Sequence, residues 1–215
     1  PLAAYSENYR LAITVTGGDA APSWNCKSAS SSFFTLRATV ELLLKRFGIN
    51  IYDLKCESCD FDIFGDAICL TINKKPLVWM GQMAGKLCKS MGIKQEVFFA
   101  EIDFDTLIKA TRKHKITVTE LPKYPEVKRD LALLVDKSVT FATLRAIAFA
   151  TERKLLKSVA LFDVYEGDKL PEGKKSYALS FILEDKSQTL TDKAIERTMA
   201  ALQAAFEKQA GATVR

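Results

Sequence analysis

Histidine occurs once in the 215 residues, tryptophan twice and proline six times. A single histidine leaves little material for a His-based metal centre or for a histidine general base with partners around it. No stretch approaches the ~20 uncharged apolar residues that a membrane-spanning helix needs, so no membrane partner is expected. The five cysteines, Cys26, Cys56, Cys59, Cys69 and Cys88, are odd in number and confined to the first half. With no apolar leader in front of them, they predict a reduced, cytoplasmic protein rather than a disulfide scaffold. The excess of one charge over the other is also small. The net charge of +5 divides into +2 up to residue 121 and +3 beyond it. Such an even spread permits contact with phosphate without requiring it, because affinity for phosphate depends on clustering. What the sequence does have is an ordinary globular composition, 48% apolar and 27% charged, which excludes disorder. It begins at Pro1, without methionine, and reads as a piece of a longer chain.

Residues 9–16 (YRLAITVT) are apolar and β-branched and stop at Gly17-Gly18-Asp19, predicting a strand and a turn. A serine-rich loop over 20–32 follows. Residues 33–47 (FFTLRATVELLLKRF) place Leu36, Val40, Leu43, Leu44 and Phe47 at three- and four-residue spacing before Gly48. That is an amphipathic helix with a glycine stop. Short strands are expected over 51–59, 66–73, 76–83 and 96–102, with a hairpin turn at 73–76 (NKKP). Helices are expected over 85–91 and 103–111, the second capped by Asp103.

Residues 120–130 (ELPKYPEVKRD) carry two prolines three apart, which neither a helix nor a central strand tolerates. We therefore divide the chain at 121/122. Beyond it the pattern predicts a strand at 131–135, a helix at 140–156, strands at 158–165 and 176–184, a helix at 191–209 and a last strand at 212–215. This β-α-β-β-α-β order is the split βαβ or ferredoxin-like arrangement, in which both helices cover one sheet face and leave the other free. The fold class is thus α+β, a partial antiparallel-sheet domain over 1–121 followed by a ferredoxin-like domain over 122–215.

The second half carries Tyr124-Pro125, Arg129-Asp130-Leu131, Phe162-Asp163-Val164-Tyr165-Glu166-Gly167, Pro171-Glu172-Gly173-Lys174-Lys175-Ser176, Thr189-Leu190-Thr191-Asp192 and Gly211-Ala212-Thr213-Val214-Arg215. In this order and spacing the series resembles the ferredoxin-fold anticodon-binding domain that closes the β subunits of bacterial phenylalanine–tRNA synthetases. Phe33-Phe34-Thr35-Leu36-Arg37 and Glu101-Ile102-Asp103-Phe104-Asp105-Thr106-Leu107 are similar to segments of the catalytic-like domain of the same subunits. Where those subunits carry a His-Pro-Gly stretch, this chain differs, with Phe61-Asp62-Ile63-Phe64-Gly65-Asp66-Ala67.

The resemblance implies a tRNA-binding and structural role within an α2β2 heterotetramer whose α subunit uses ATP and Mg2+ to attach phenylalanine to its tRNA. It implies no cofactor on this chain and no catalysis by it. The sequence agrees with a silent domain, having no Arg-x-Glu on a strand pair and no glycine-rich motif ending in arginine. The implied RNA-binding residues are Lys128, Arg129, Lys174, Lys175 and Arg215 as a basic rim, with Phe162 stacking on a base. A rival reading is a regulatory ferredoxin-like module that binds an amino acid and dimerises through its sheet. Such modules usually place glycine in the first strand-to-helix turn, where this chain has Asp136-Lys-Ser-Val-Thr140.

Other candidate sites are weaker. Cys56-Glu-Ser-Cys59 is half a zinc site, but Cys69, Cys88 and His114 fall at no familiar spacing from it. His114 sits in a charged turn, Thr111-Arg-Lys-His-Lys115, with no carboxylate or nucleophile around it. Gly17-Gly18-Asp19 lacks the spacing of a phosphate loop. Asp60, Asp62 and Asp66 lack the rest of a calcium loop. No metal or catalytic residue is expected.

Overall fold

In the computed structural model, residues 4–18, 20–21, 23–25, 27–118 and 120–215 are described; Asp19 and Cys26, both named above, lie outside them. The chain divides into two units, residues 1–118 and 119–215.

The first unit is an antiparallel five-stranded sheet in the order β1-β5-β4-β3-β2. Its strands are β1 (Arg10–Thr16), β2 (Lys55–Cys59), β3 (Phe64–Ile72), β4 (Lys75–Met83) and β5 (Val97–Asp103), with helices α1 (Phe33–Arg46), α2 (Gly85–Ser90) and α3 (Phe104–Thr111). Ser32 and Thr35 cap α1 reciprocally, and its buried stripe of Leu36, Val40 and Leu44 packs with Met80, Ala100 and Ile102. Asp103 ends β5 and caps α3, its Oδ1 accepting the Thr106 N–H at 2.8 Å.

The expected 73–76 turn is tighter than the four residues named. Asn73 (φ 49°) and Lys74 (φ 65°) alone make it, both in the left-handed region that a two-residue hairpin demands. Pro76 is already in β4, tolerated at a register shift opposite Thr71. The strand expected from residue 51 starts late. The Asn50 side chain accepts the Tyr52 N–H at 3.1 Å and turns Ile51–Asp53 into a 3-10 helix. Residues 61–67, where the sequence departs from the resembling subunits, close around aromatic rings: Phe61 meets Trp79 edge-on at 6.3 Å and Phe64 lies 6.1 Å from Phe99.

In the second unit β6 (Val127–Asp136), α4 (Phe141–Thr151), β7 (Leu156–Tyr165), β8 (Lys174–Leu183), α5 (Asp192–Ala210) and β9 (Thr213–Val214) follow the ferredoxin-like order. The sheet runs β7-β8-β6-β9, antiparallel throughout. One face carries the core, in which Leu133, Val135, Leu179 and Phe181 meet Leu144, Ala148, Leu202 and Phe206 of the helices. Thr140 and Thr191 cap the two helices, and Gly211 (φ 59°) ends α5 in the left-handed conformation that favours glycine. Helix α4 stops at Thr151, short of the expected Leu156. The Glu152 carboxylate accepts the backbone N–H groups of Lys154 (2.7 Å) and Leu155 (3.0 Å), turning the chain and delivering Leu156 to β7.

These boundaries predict where a protease acts. Lys115 and Lys123 are exposed in irregular backbone, whereas Lys128 lies inside β6 opposite Ile182. Limited trypsin digestion should cut first after Lys115 or Lys123 and leave a C-terminal piece with a native melting transition. First cleavage after Lys128, or disappearance of the transition on cutting, would contradict the strand assignment.

Candidate nucleic-acid interface

Pairing across β6 and β8 decides which side chains reach the uncovered face of the second sheet. Arg129, Leu131, Leu133 and Val135 lie opposite Phe181, Leu179, Tyr177 and Lys175, all on the helix-bearing side. Lys128, Asp130, Ala132, Leu134 and Asp136, opposite Ile182, Ser180, Ala178, Ser176 and Lys174, therefore face away from the helices. The uncovered face is floored by short side chains, which lets a flat ligand approach the strands closely.

The six residues expected to bind RNA separate along this rule. Lys128, Phe162, Lys174 and Arg215 belong to the uncovered face; Arg129 and Lys175 do not. Lys175 is only 8% exposed, with its ammonium 4.7 Å from the Tyr177 ring centre. The run Lys174-Lys175 makes the two look equivalent in sequence, yet strand alternation sends them to opposite sides. Arg129 shares the helix-bearing side with Phe181 and donates from Nη1 to the Lys128 carbonyl at 3.0 Å.

Phe162 is 58% exposed and lies outside the core. It is the extra residue of a bulge between Leu161 and Asp163, and the Lys128 ammonium stands 5.8 Å from its ring centre. Three residues on, Tyr165 pairs with Ser176 and is 37% exposed on the same face. Sequence reasoning missed Tyr165, although it lies two positions from Asp163 on one strand and strand periodicity alone places that pair on one side. The face thus offers two aromatic rings on one strand, surfaces of the kind on which unstacked bases lie. Ser180 Oγ, at its centre, is buried and has no hydrogen-bond partner.

Charge on this face is nearly balanced. Lys128 lies 3.9 Å from Asp130, and Lys174 makes a 2.7 Å ion pair with Asp136. Asp163 adds a third carboxylate and Arg215 a third cation. At the far end of the strands Lys157 is held between Glu126 (2.9 Å) and Glu184. Hydrogen bonds to Glu184 and Glu126 raise its ammonium pKa above the usual lysine value.

On one side of its sheet the first unit pairs polar groups internally. On the sheet side opposite α1, the Arg10 guanidinium lies 5.2 Å from the Trp79 ring centre and pairs with Glu101 (3.6 Å) and Asp103 (3.4 Å). Burial works to raise the Asp103 pKa, but the Thr106 hydrogen bonds, Arg10 and Lys109 together hold it below the usual carboxylate value. Cys56 is exposed, Cys59 half-buried and Cys69 buried, all as free thiols whose pKa burial pushes up. Among the described residues no three His, Cys, Asp or Glu side chains come together as a metal site. No helix among them is long and apolar enough to cross a membrane.

A four-stranded antiparallel sheet with both helices on one face defines the ferredoxin-like class, and residues 122–215 match the ferredoxin-fold anticodon binding domain. Residues 2–104 match the phenylalanyl tRNA synthetase beta chain CLM domain. Over its whole length the chain is 46% identical to the phenylalanine–tRNA ligase beta subunit of Bacteroides thetaiotaomicron and 43% identical to that of Porphyromonas gingivalis. It is 33% identical over 97% of its length to that of Bacillus subtilis. It spans 26% of each of these relatives. The chain belongs to the family of phenylalanine–tRNA ligase beta subunits.

The exposure of Phe162 and the burial of Lys175 generate opposite expectations. Phe162→Ala should cost under ~1 kcal/mol of stability, as for a surface residue. Lys175→Glu should cost at least ~2 kcal/mol, because it sets an unpaired carboxylate against the core. Thermal melts of the two variants check this; equal melting temperatures would overturn the face assignment.

Proposed function

We propose that this chain is the tRNA-binding and bracing portion of a phenylalanine–tRNA ligase beta subunit, with the anticodon end of the tRNA lying on the uncovered face of the second sheet. The observation that carries the reading is the pairing of Phe162 and Tyr165 on β7 with Lys128 beside them, in a domain that matches the anticodon-binding family. Splayed single-stranded bases stack on such rings, each worth ~1–3 kcal/mol. Lys128 contributes a phosphate contact at the edge of the stack.

Activation of phenylalanine with ATP and Mg2+ belongs, in this reading, to a separate α subunit within an α2β2 assembly. Arg10, on the first sheet's open side, is engaged with Trp79, Glu101 and Asp103, which supports that division.

Two measurements test this. Removing residues 122–215 from the full-length beta subunit should leave phenylalanine-dependent ATP–pyrophosphate exchange by the two-subunit enzyme intact. Charging of tRNA should fall by more than about tenfold, or ~1.4 kcal/mol of transition-state stabilisation. Undiminished charging would sink the tRNA-binding role. Exchange activity in this chain free of any α subunit would sink the assignment of a catalytically silent portion.

A further inference from the structure

We propose that the first unit carries a second RNA contact, a phosphate-backbone site built where the C-terminal end of α1 meets the segment 112–115. It rests on the reading that the chain handles tRNA, but it lies outside the ferredoxin-like domain and uses none of its residues.

Lys45 and Arg46 form the last turn of α1. Two residues on, Gly48 (φ 78°) has no room for a side chain, because a Cβ there would overlap Nε2, Cδ2 and Cε1 of His114. The histidine ring therefore lies flush against the backbone that ends α1. Its own backbone N–H donates to the Thr111 carbonyl at 2.8 Å, which fixes the turn following α3. This packing sets the segment that carries Arg112, Lys113 and Lys115 against the turn that follows Lys45 and Arg46. All five cations are exposed, and none has an ion-pair partner among the described residues.

Helix ends are often basic because the macrodipole favours it, and that effect sets the scale here. The C-terminal ends of α1 and α3 each contribute roughly −0.5 of a charge, against five full positive charges, so about +4 remains. Even with full charges on Asp53 in the following 3-10 helix and on Asp105 of α3, whose carboxylate accepts the Tyr9 N–H at 3.3 Å, about +2 remains. The second unit's sheet face, by contrast, pairs its two lysines with Asp130 and Asp136. Unpaired cations around a histidine ring already packed against Gly48 suit a phosphate backbone better than its bases, so the ligand is RNA held independently of sequence.

The test uses the intact chain, fluorescence anisotropy and two probes, a deacylated full-length tRNA and an isolated anticodon stem–loop, each across a salt series. Replacing Lys45, Arg46, Arg112, Lys113 and Lys115 together by Gln should weaken full-length tRNA binding at least ~10-fold and flatten the log–log salt slope by roughly 2–4, at ~0.7–0.9 for each phosphate no longer neutralised. Stem–loop binding should stay at the wild-type value. The pair Lys113→Glu and Lys115→Glu, outside any helix or strand, should act in the same direction with no change in melting temperature. Wild-type affinity and slope in both variants overturn the proposal while leaving the sheet-face reading intact. Equal weakening of the stem–loop overturns it as a separate site. A chain that binds neither probe overturns both readings, whereas Phe162→Ala variants that lose the stem–loop but keep tRNA through the patch support this one.

Discussion

Everything the second unit can show a ligand follows from one constraint, the ten-residue antiparallel register of β6 against β8. Because side chains alternate with a period of two, a slip by one residue would exchange the faces, bringing Tyr177, Leu179 and Phe181 to solvent and Lys174, Ser176 and Ser180 into the core. The three large apolar residues are buried on the helix side with Leu133 and Val135, so the register is locked by the core. The uncovered face, although it contributes nothing to that core, is specified by it. The same lock holds Lys175 against Tyr177 on the helix-bearing side.

How much of this is legible in the sequence depends on the period of the signal. The order of elements can be read from alternation in β8, from the helical stripe of α5 and from the caps Thr140 and Thr191. Breaks in the period are not legible. The bulge at Phe162 reverses the simple alternation that would set it opposite Asp163, and nothing in Leu161-Phe162-Asp163 announces an extra residue. Glu152 ends α4 through a carboxylate that doubles as a cap, which composition cannot tell from another helix-forming glutamate. Asn50 acts likewise before β2. The misplacement of Lys175 and Arg129 has a different origin: charge groups them with the rim, whereas strand parity is the stronger rule.

His114 shows the limit of reading a residue by its neighbours in sequence. In Thr111-Arg-Lys-His-Lys115 it belongs to a charged turn. In space it is packed against Gly48, far away along the chain, and its role is to hold backbone to backbone. The left-handed conformation of Gly48 and its missing side chain serve the same packing, since the turn ending α1 has to be left-handed and flat at once. A glycine helix stop is readable from the sequence; that it also receives an aromatic ring is not.

In the two sites proposed above, the units would meet a polyanion in opposite ways. On the second sheet each lysine stands beside a carboxylate, so the field there is weak and the face selects by shape, through rings and short side chains. Stacking of this kind varies little with salt and discriminates among conformations of RNA. In the first unit the strong internal pairing is on the open side of the sheet, where Arg10 is committed to Trp79, Glu101 and Asp103. Its uncommitted charge lies instead at the ends of α1 and α3, where the His114 ring is taken up in packing against Gly48. Separating the two functions has a physical advantage. A face both basic and aromatic would bind any exposed strand tightly, whereas a near-neutral stacking face combined with a sequence-blind basic patch lets backbone charge supply affinity and bases supply choice.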